Sequence, residues 1–116
     1  MRLATIRLNN EEQTVIIRND EVVLLCHLNE RLNKQYPRSL LSLIEMDLLK
    51  SLQRDCVSLQ EEDWDALQKL SLDEVQFVAP YRTPTHVFGV GMNYVEKAQD
   101  LQAIPIDHAP VCFLKP

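Results

Sequence analysis

Apolar and polar positions alternate from the start of the chain. Leu3, Thr5 and Arg7 fall opposite Ala4, Ile6 and Leu8, which is the two-residue period of a β-strand over residues 2–8. A second strand is expected over 13–18, and the polar link Asn9-Asn10-Glu11-Glu12 makes the pair a hairpin. Asn19-Asp20 supplies another turn before a third strand, Glu21–Leu25, completing a small antiparallel meander. The period then lengthens. Leu28–Gln35 reads ambiguously, as a helical turn closed by Pro37 at most. Ser39 is placed to cap a helix running to about Gln53, with Leu40, Leu41, Ile44, Leu48 and Leu52 as its apolar face. A second helix is expected from Ser58, where Ser58-Leu59-Gln60-Glu61 matches a capping box, with Trp64, Leu67 and Leu70 on its buried side.

Composition breaks at Leu72-Asp73-Glu74. Beyond it, Val75–Val78 reads as a short strand ended by Pro80, and His86–Val90 as another that follows a turn at Pro84. Asn93 can cap a short helix from Tyr94 to about Leu101, which puts Asn93, Lys97 and Asp100 on one face and Tyr94, Ala98 and Leu101 on the other. After a loop carrying Pro105 and Pro110, Val111–Leu114 reads as a strand buried on both faces, with nothing after it to cover it. Such a strand predicts further chain or a covering partner. The expected class is α+β: an N-terminal strand-then-helix domain over 1–71, then the first strands of an incomplete second domain over 72–116.

Charge and composition narrow the functional classes. With 116 residues, 46% hydrophobic and 25% charged, the chain has an ordinary globular balance, and no apolar run approaches a bilayer-spanning length. The alternating N-terminus does not resemble a secretory signal, so a cytoplasmic location is expected. A net charge of −5, with acidic residues thickest from Glu61 to Glu74, argues against a nucleic-acid partner. The three cysteines, Cys26, Cys56 and Cys112, are widely spaced and read as reduced thiols. His108 and Cys112, with His86 and the Cys26-His27 pair, lack the short paired spacing of a zinc site. Glu61, Glu62 and Asp63 open a helix, where carboxylates meet the positive end of its dipole, so no metal ligand is assigned. Glycine is the unusual residue. Both glycines of the chain stand in Gly89-Val90-Gly91, which marks one place for positive φ or close backbone approach, and for an anion next to the helix that follows.

The ordered segments Leu72-Asp73-Glu74-Val75, Ala79-Pro80, Gly89-Val90-Gly91-Met92-Asn93-Tyr94 and Phe113-Leu114-Lys115-Pro116 resemble the fumarylacetoacetate hydrolase family, closely over 72–116 and loosely over the rest. The resemblance implies a mixed β-roll in the second domain and metal-dependent C–C bond hydrolysis, or lyase chemistry, on 1,3-dicarbonyl or other oxoacids. It also implies Mg2+ held by a Glu-x-Glu pair and a later Asp that follow the FLKP-like strand, and a homodimer in the full-length form. In the family pattern NYxxHAxE, the catalytic His and Glu fall on Lys97 and Asp100, both changed in type. Gly91, Asn93, Tyr94 and Lys115 fall at substrate-binding positions. An ordinary lysine is protonated at pH 7 and cannot activate water. Lys97 is therefore expected to bind a substrate carboxylate or stabilise an enolate, as suits a decarboxylase or tautomerase, or else to form a simple surface ion pair with Asp100. The 116 residues alone are expected to be inactive. The competing expectations are a non-catalytic interaction module that pairs through its C-terminal strand, and an N-terminal regulatory domain.

Overall fold

The computed structural model describes residues 1–91 and 111–115. It is α+β and divides into two compact units, Met1–Arg82 and Thr83–Pro116.

The first unit opens with three antiparallel strands, β1 (Arg2–Leu8), β2 (Glu11–Arg18) and β3 (Glu21–Leu24). Both turns between them have two central residues at positive φ: Asn9 at 51° and Asn10 at 62°, then Asn19 at 50° and Asp20 at 61°. These are the hairpin turns whose twist matches the strands, and Asn and Asp tolerate them better than other residues with a Cβ. Left-handed backbone therefore falls to Asn and Asp throughout this unit, and neither glycine has positive φ. Close approach, the other role expected of the glycines, is what Gly89 provides in the second unit.

Helix α1 (Leu25–Leu32) follows β3 directly and ends at Asn33, again left-handed at φ 53°. The Asn29 side chain then clasps the backbone of Tyr36, accepting its N–H at 3.0 Å and donating to its carbonyl at 2.9 Å. The single helix expected from Ser39 to Gln53 is two. Ser39 does cap α2 (Leu40–Glu45), but Asp47 turns left-handed at φ 54° and the chain restarts as α3 (Leu49–Ser58). That break rotates the apolar stripe. Leu40, Leu43 and Leu52 are buried, whereas Ile44, expected in the core, is exposed.

The capping box expected at Ser58 is absent because Ser58 Oγ donates back to the Asp55 carbonyl at 2.6 Å, finishing α3. Helix α4 (Glu61–Asp65) starts three residues later, where the Asp63 carboxylate accepts the Gln60 N–H at 3.0 Å. Leu70, expected on this helix, instead begins β4 (Leu70–Ser71), which pairs with β3. A 3-10 turn over Leu72–Glu74 leads to β5 (Gln76–Val78), which pairs with β1. The five-stranded sheet has the order β4-β3-β2-β1-β5. Leu70–Ser71, expected at the end of the first domain, and Gln76–Val78, expected at the start of the second, thus close the two edges of the first sheet.

Strand alternation gives this sheet two buried faces. Ile16 and Val23 face the helices and join Leu28, Leu43, Leu52 and Trp64. Ile6, Val15, Val22 and Leu24 lie on the opposite face, where Leu70, Leu72 and Val75 pack against them. Leu43 and Leu52 are fully buried. Burying such a side chain contributes about 1.5–3 kcal/mol.

The second unit contributes β6 (Val87–Gly91) and β7 (Val111–Lys115), an antiparallel two-stranded ribbon. Among the described residues no helix is long and apolar enough to cross a membrane.

Candidate functional site

The ribbon carries two of the motif segments that define the candidate site. Gly91 pairs with Val111, Gly89 with Phe113 and Val87 with Lys115. Directly paired residues of an antiparallel ladder share a face. One face therefore holds Val87, Gly89, Gly91, Val111, Phe113 and Lys115, and the other Phe88, Val90, Cys112 and Leu114.

Gly89 has a steric reason to be glycine. A Cβ built there would lie 2.2 Å from the Phe113 ring, so the aromatic side chain lies across the bare backbone of the opposing strand. Gly91 has more room, with its nearest neighbours at 3.9 Å. The reading of Val111–Leu114 as a strand holds, but the expected lack of a pairing strand does not, since β6 supplies one. Its side chains are exposed rather than buried on both faces.

Gly91 and Lys115, both expected at the substrate, stand at opposite ends of the ribbon. Lys115 is opposite Val87, and four strand residues span about 13 Å. Backbone at Gly91 and the root of the Lys115 side chain cannot both touch a single small carboxylate; the lysine would have to reach back along the strand. Asn93, Tyr94, Lys97 and Asp100, and the helix expected to carry them, lie outside the described residues.

Of the three carboxylates that open α4, Glu61 and Asp63 are committed to arginines. Glu61 pairs with Arg18, whose guanidinium also lies 5.0 Å over the Trp64 ring, a cation–π geometry. Arg31 donates to Asp63 through Nε at 3.0 Å, and that bond, with the Gln60 N–H, holds the Asp63 carboxyl below its usual range. The magnesium that the family resemblance implies requires oxygen ligands converging at about 2.0–2.1 Å in octahedral geometry. Among the described residues no three His, Cys, Asp or Glu side chains come together. The described residues do not fit a magnesium site.

Two groups of the first unit are perturbed for structural reasons. Tyr36, 8% exposed, donates its hydroxyl to Asp55 Oδ2 at 2.6 Å. Burial and that hydrogen bond push its pKa up to about 12. Burial, with the Asp55 charge nearby, raises the Cys56 thiol to about 11 and keeps it un-ionised at neutral pH. Cys56 lines an open groove of about 580 Å³ together with Arg2, Arg18, Gln53, Val57 and Trp64. The sequence gives no direct sign of this groove, because it forms where the ends of β1 and β2 meet α3 and α4. Against known proteins, the chain matches no family model, and no curated protein matches it.

Proposed function

We propose that this chain forms the N-terminal domain and the opening ribbon of the catalytic domain of a cytoplasmic enzyme similar to the fumarylacetoacetate hydrolases. In this reading the enzyme is metal-dependent and cleaves C–C bonds of 1,3-dicarbonyl or other oxoacids. The observation that carries the reading is the register of β6 on β7. It brings the Gly-Val-Gly segment and the Phe-Leu-Lys segment side by side, with Gly89 beneath Phe113. Two segments far apart in the chain thus have a reason to occur together.

In this proposal the magnesium ligands come from outside residues 1–116. The chain itself contributes the ribbon, Asn93 and Tyr94, and Lys97 as a cation where the family pattern has a histidine. A protonated lysine binds a carboxylate or stabilises developing enolate charge, but does not deprotonate water. Decarboxylation or tautomerisation of an oxoacid therefore suits Lys97 better than hydrolysis. The test is the reading frame beyond the Pro116 codon, together with turnover of an acylpyruvate by the natural polypeptide. A following Glu-x-Glu segment and magnesium-dependent turnover support the reading. A frame that closes at Pro116, with a folded and inert product, counts against it.

A second reading, an interaction module working through the ribbon, is favoured by a specific observation. Phe88, Val90 and Leu114 share one face and are 69%, 51% and 55% exposed. An isolated two-stranded ribbon is only marginally stable in water. Size-exclusion chromatography separates the two readings: a concentration-dependent dimer lost in Phe88→Ser favours the module, and a monomer at all concentrations removes it.

A further inference from the structure

We infer that Glu12 is an electrostatic latch that fastens the end of the first unit to its hairpin and so fixes where the chain departs toward the second. The regular ladder between β5 and β1 is short, ending at Val78 opposite Thr5. Yet the chain stays attached for four residues more. Thr5 Oγ1 donates to the Pro80 carbonyl at 2.7 Å, and Arg82 Nε donates to Glu12 Oε1 at 2.8 Å, with Arg82 Nη2 on the same oxygen. Arg7 Nη2 reaches that oxygen as well, at 3.4 Å. One carboxylate on β2 therefore joins a guanidinium of β1 to one in the departing segment. The boundary between the two compact units falls immediately after Arg82.

The parts of this latch differ in kind. Thr5 is 7% exposed, and its hydrogen bond belongs to the folded sheet. The Glu12 and Arg82 side chains are 31% and 53% exposed, so their ion pair competes with water and is screened by salt. Pro80 restricts the backbone at the inner attachment itself. Losing the outer attachment thus frees residues 81–83 while leaving the sheet intact. Shared between two cations, Glu12 is held ionised: the Arg82 hydrogen bond is the largest cause of a carboxyl pKa below its usual value, and Arg7 adds to it. The latched state is accordingly the one expected near neutral pH at low salt.

Trypsin reads the latch directly, because Arg82 is both its outer half and a cleavage site. Digestion of the full chain is followed by mass spectrometry at low salt, with cleavage after Lys50, on α3, as the internal control. Glu12→Gln is expected to raise cleavage after Arg82 about two- to five-fold relative to Lys50, the range of an exposed ion pair. One molar NaCl should raise the wild-type ratio toward that of the variant and leave the variant's ratio unchanged. Hydrogen exchange of residues 79–84 should quicken in parallel, while the urea midpoint stays put. Equal cleavage ratios for the two proteins overturn the inference. So does a rise in cleavage at Lys50 as large as that at Arg82, which signals global loosening. If Glu12→Gln fails to fold, the salt series on the wild-type chain decides alone, and a ratio independent of salt rejects the latch.

Discussion

Replacing Tyr36 with phenylalanine removes one oxygen atom from the first unit and tests how its helices are tied together. The hydroxyl donates to Asp55 on α3 at 2.6 Å from a residue whose backbone is clasped by Asn29 of α1. Hydrogen bonds to charged groups contribute about 1.5–3 kcal/mol. The Asp55 side chain is 23% exposed and keeps Lys34 at 3.9 Å, so in the variant its carboxylate is still reached by water and a cation. The lower end of that range applies, about 1.5 kcal/mol. For a domain of this size such a loss lowers Tm by roughly 6–12 °C.

The pH dependence adds a second, independent readout. Unfolded, Tyr36 ionises near 10.0; folded, near 12. Its contribution is complete below pH 10 and is lost as pH rises toward 12, because the unfolded chain releases its proton first. Cys56, raised from 9.0 to about 11, weakens both proteins over an overlapping range, so the difference between wild type and variant isolates the tyrosine. Urea denaturation at pH 7, 9, 10 and 11 is the assay. A loss below about 0.5 kcal/mol at pH 7, or a wild-type advantage that does not shrink between pH 10 and 11, would refute the reasoning.

Three further outcomes are expected in the first unit. Leu52→Ala, at a fully buried position, should cost about 2–5 kcal/mol, whereas Ile44→Ala, at a 44% exposed one, should stay within about 0.5 kcal/mol by urea unfolding. Asn33→Ala, which forces a β-carbon without Asn's local hydrogen bonding into the left-handed cap of α1, should cost about 1 kcal/mol; Asn33→Gly should leave the melting temperature unchanged or raise it. Asp63 is held below its ordinary value of 3.8 by Arg31, so its contribution is present above that value and is lost as pH falls further. Arg31→Gln should therefore flatten the loss of stability below pH 4, as followed by acid denaturation.

The strands were readable from two-residue alternation, and Asn19-Asp20 is the turn expected; the first turn is Asn9-Asn10 alone, so Glu11 and Glu12, expected in the link, instead open β2 and set its register. The helices were less readable because apolar spacing does not reveal a left-handed residue. Asp47 splits one expected helix into two and moves the buried stripe from Ile44 to Leu43. Ser58 carried a capping signature, but its hydroxyl closes the helix behind it instead of opening the next. Residues 70–78 return to both edges of the first sheet, a long-range pairing that no local pattern records. At the candidate site, the close approach at Gly89 was legible, whereas its partner, the Phe113 ring, depended on a register fixed only in three dimensions. Positions 93–100 lie outside the described residues, so the reading of Lys97 and Asp100 rests on the motif.

Turnover tests the functional proposal most directly. An acylpyruvate and oxaloacetate are each incubated with magnesium and followed by proton NMR, using in parallel the natural polypeptide that contains these residues, its Lys97→Ala variant and the 116-residue chain. The account predicts consumption of at least one oxoacid by the natural polypeptide, a loss of rate of at least about tenfold in the variant, and no reaction with the 116 residues alone. Turnover by the 116-residue chain, or an undiminished rate in Lys97→Ala, would contradict it.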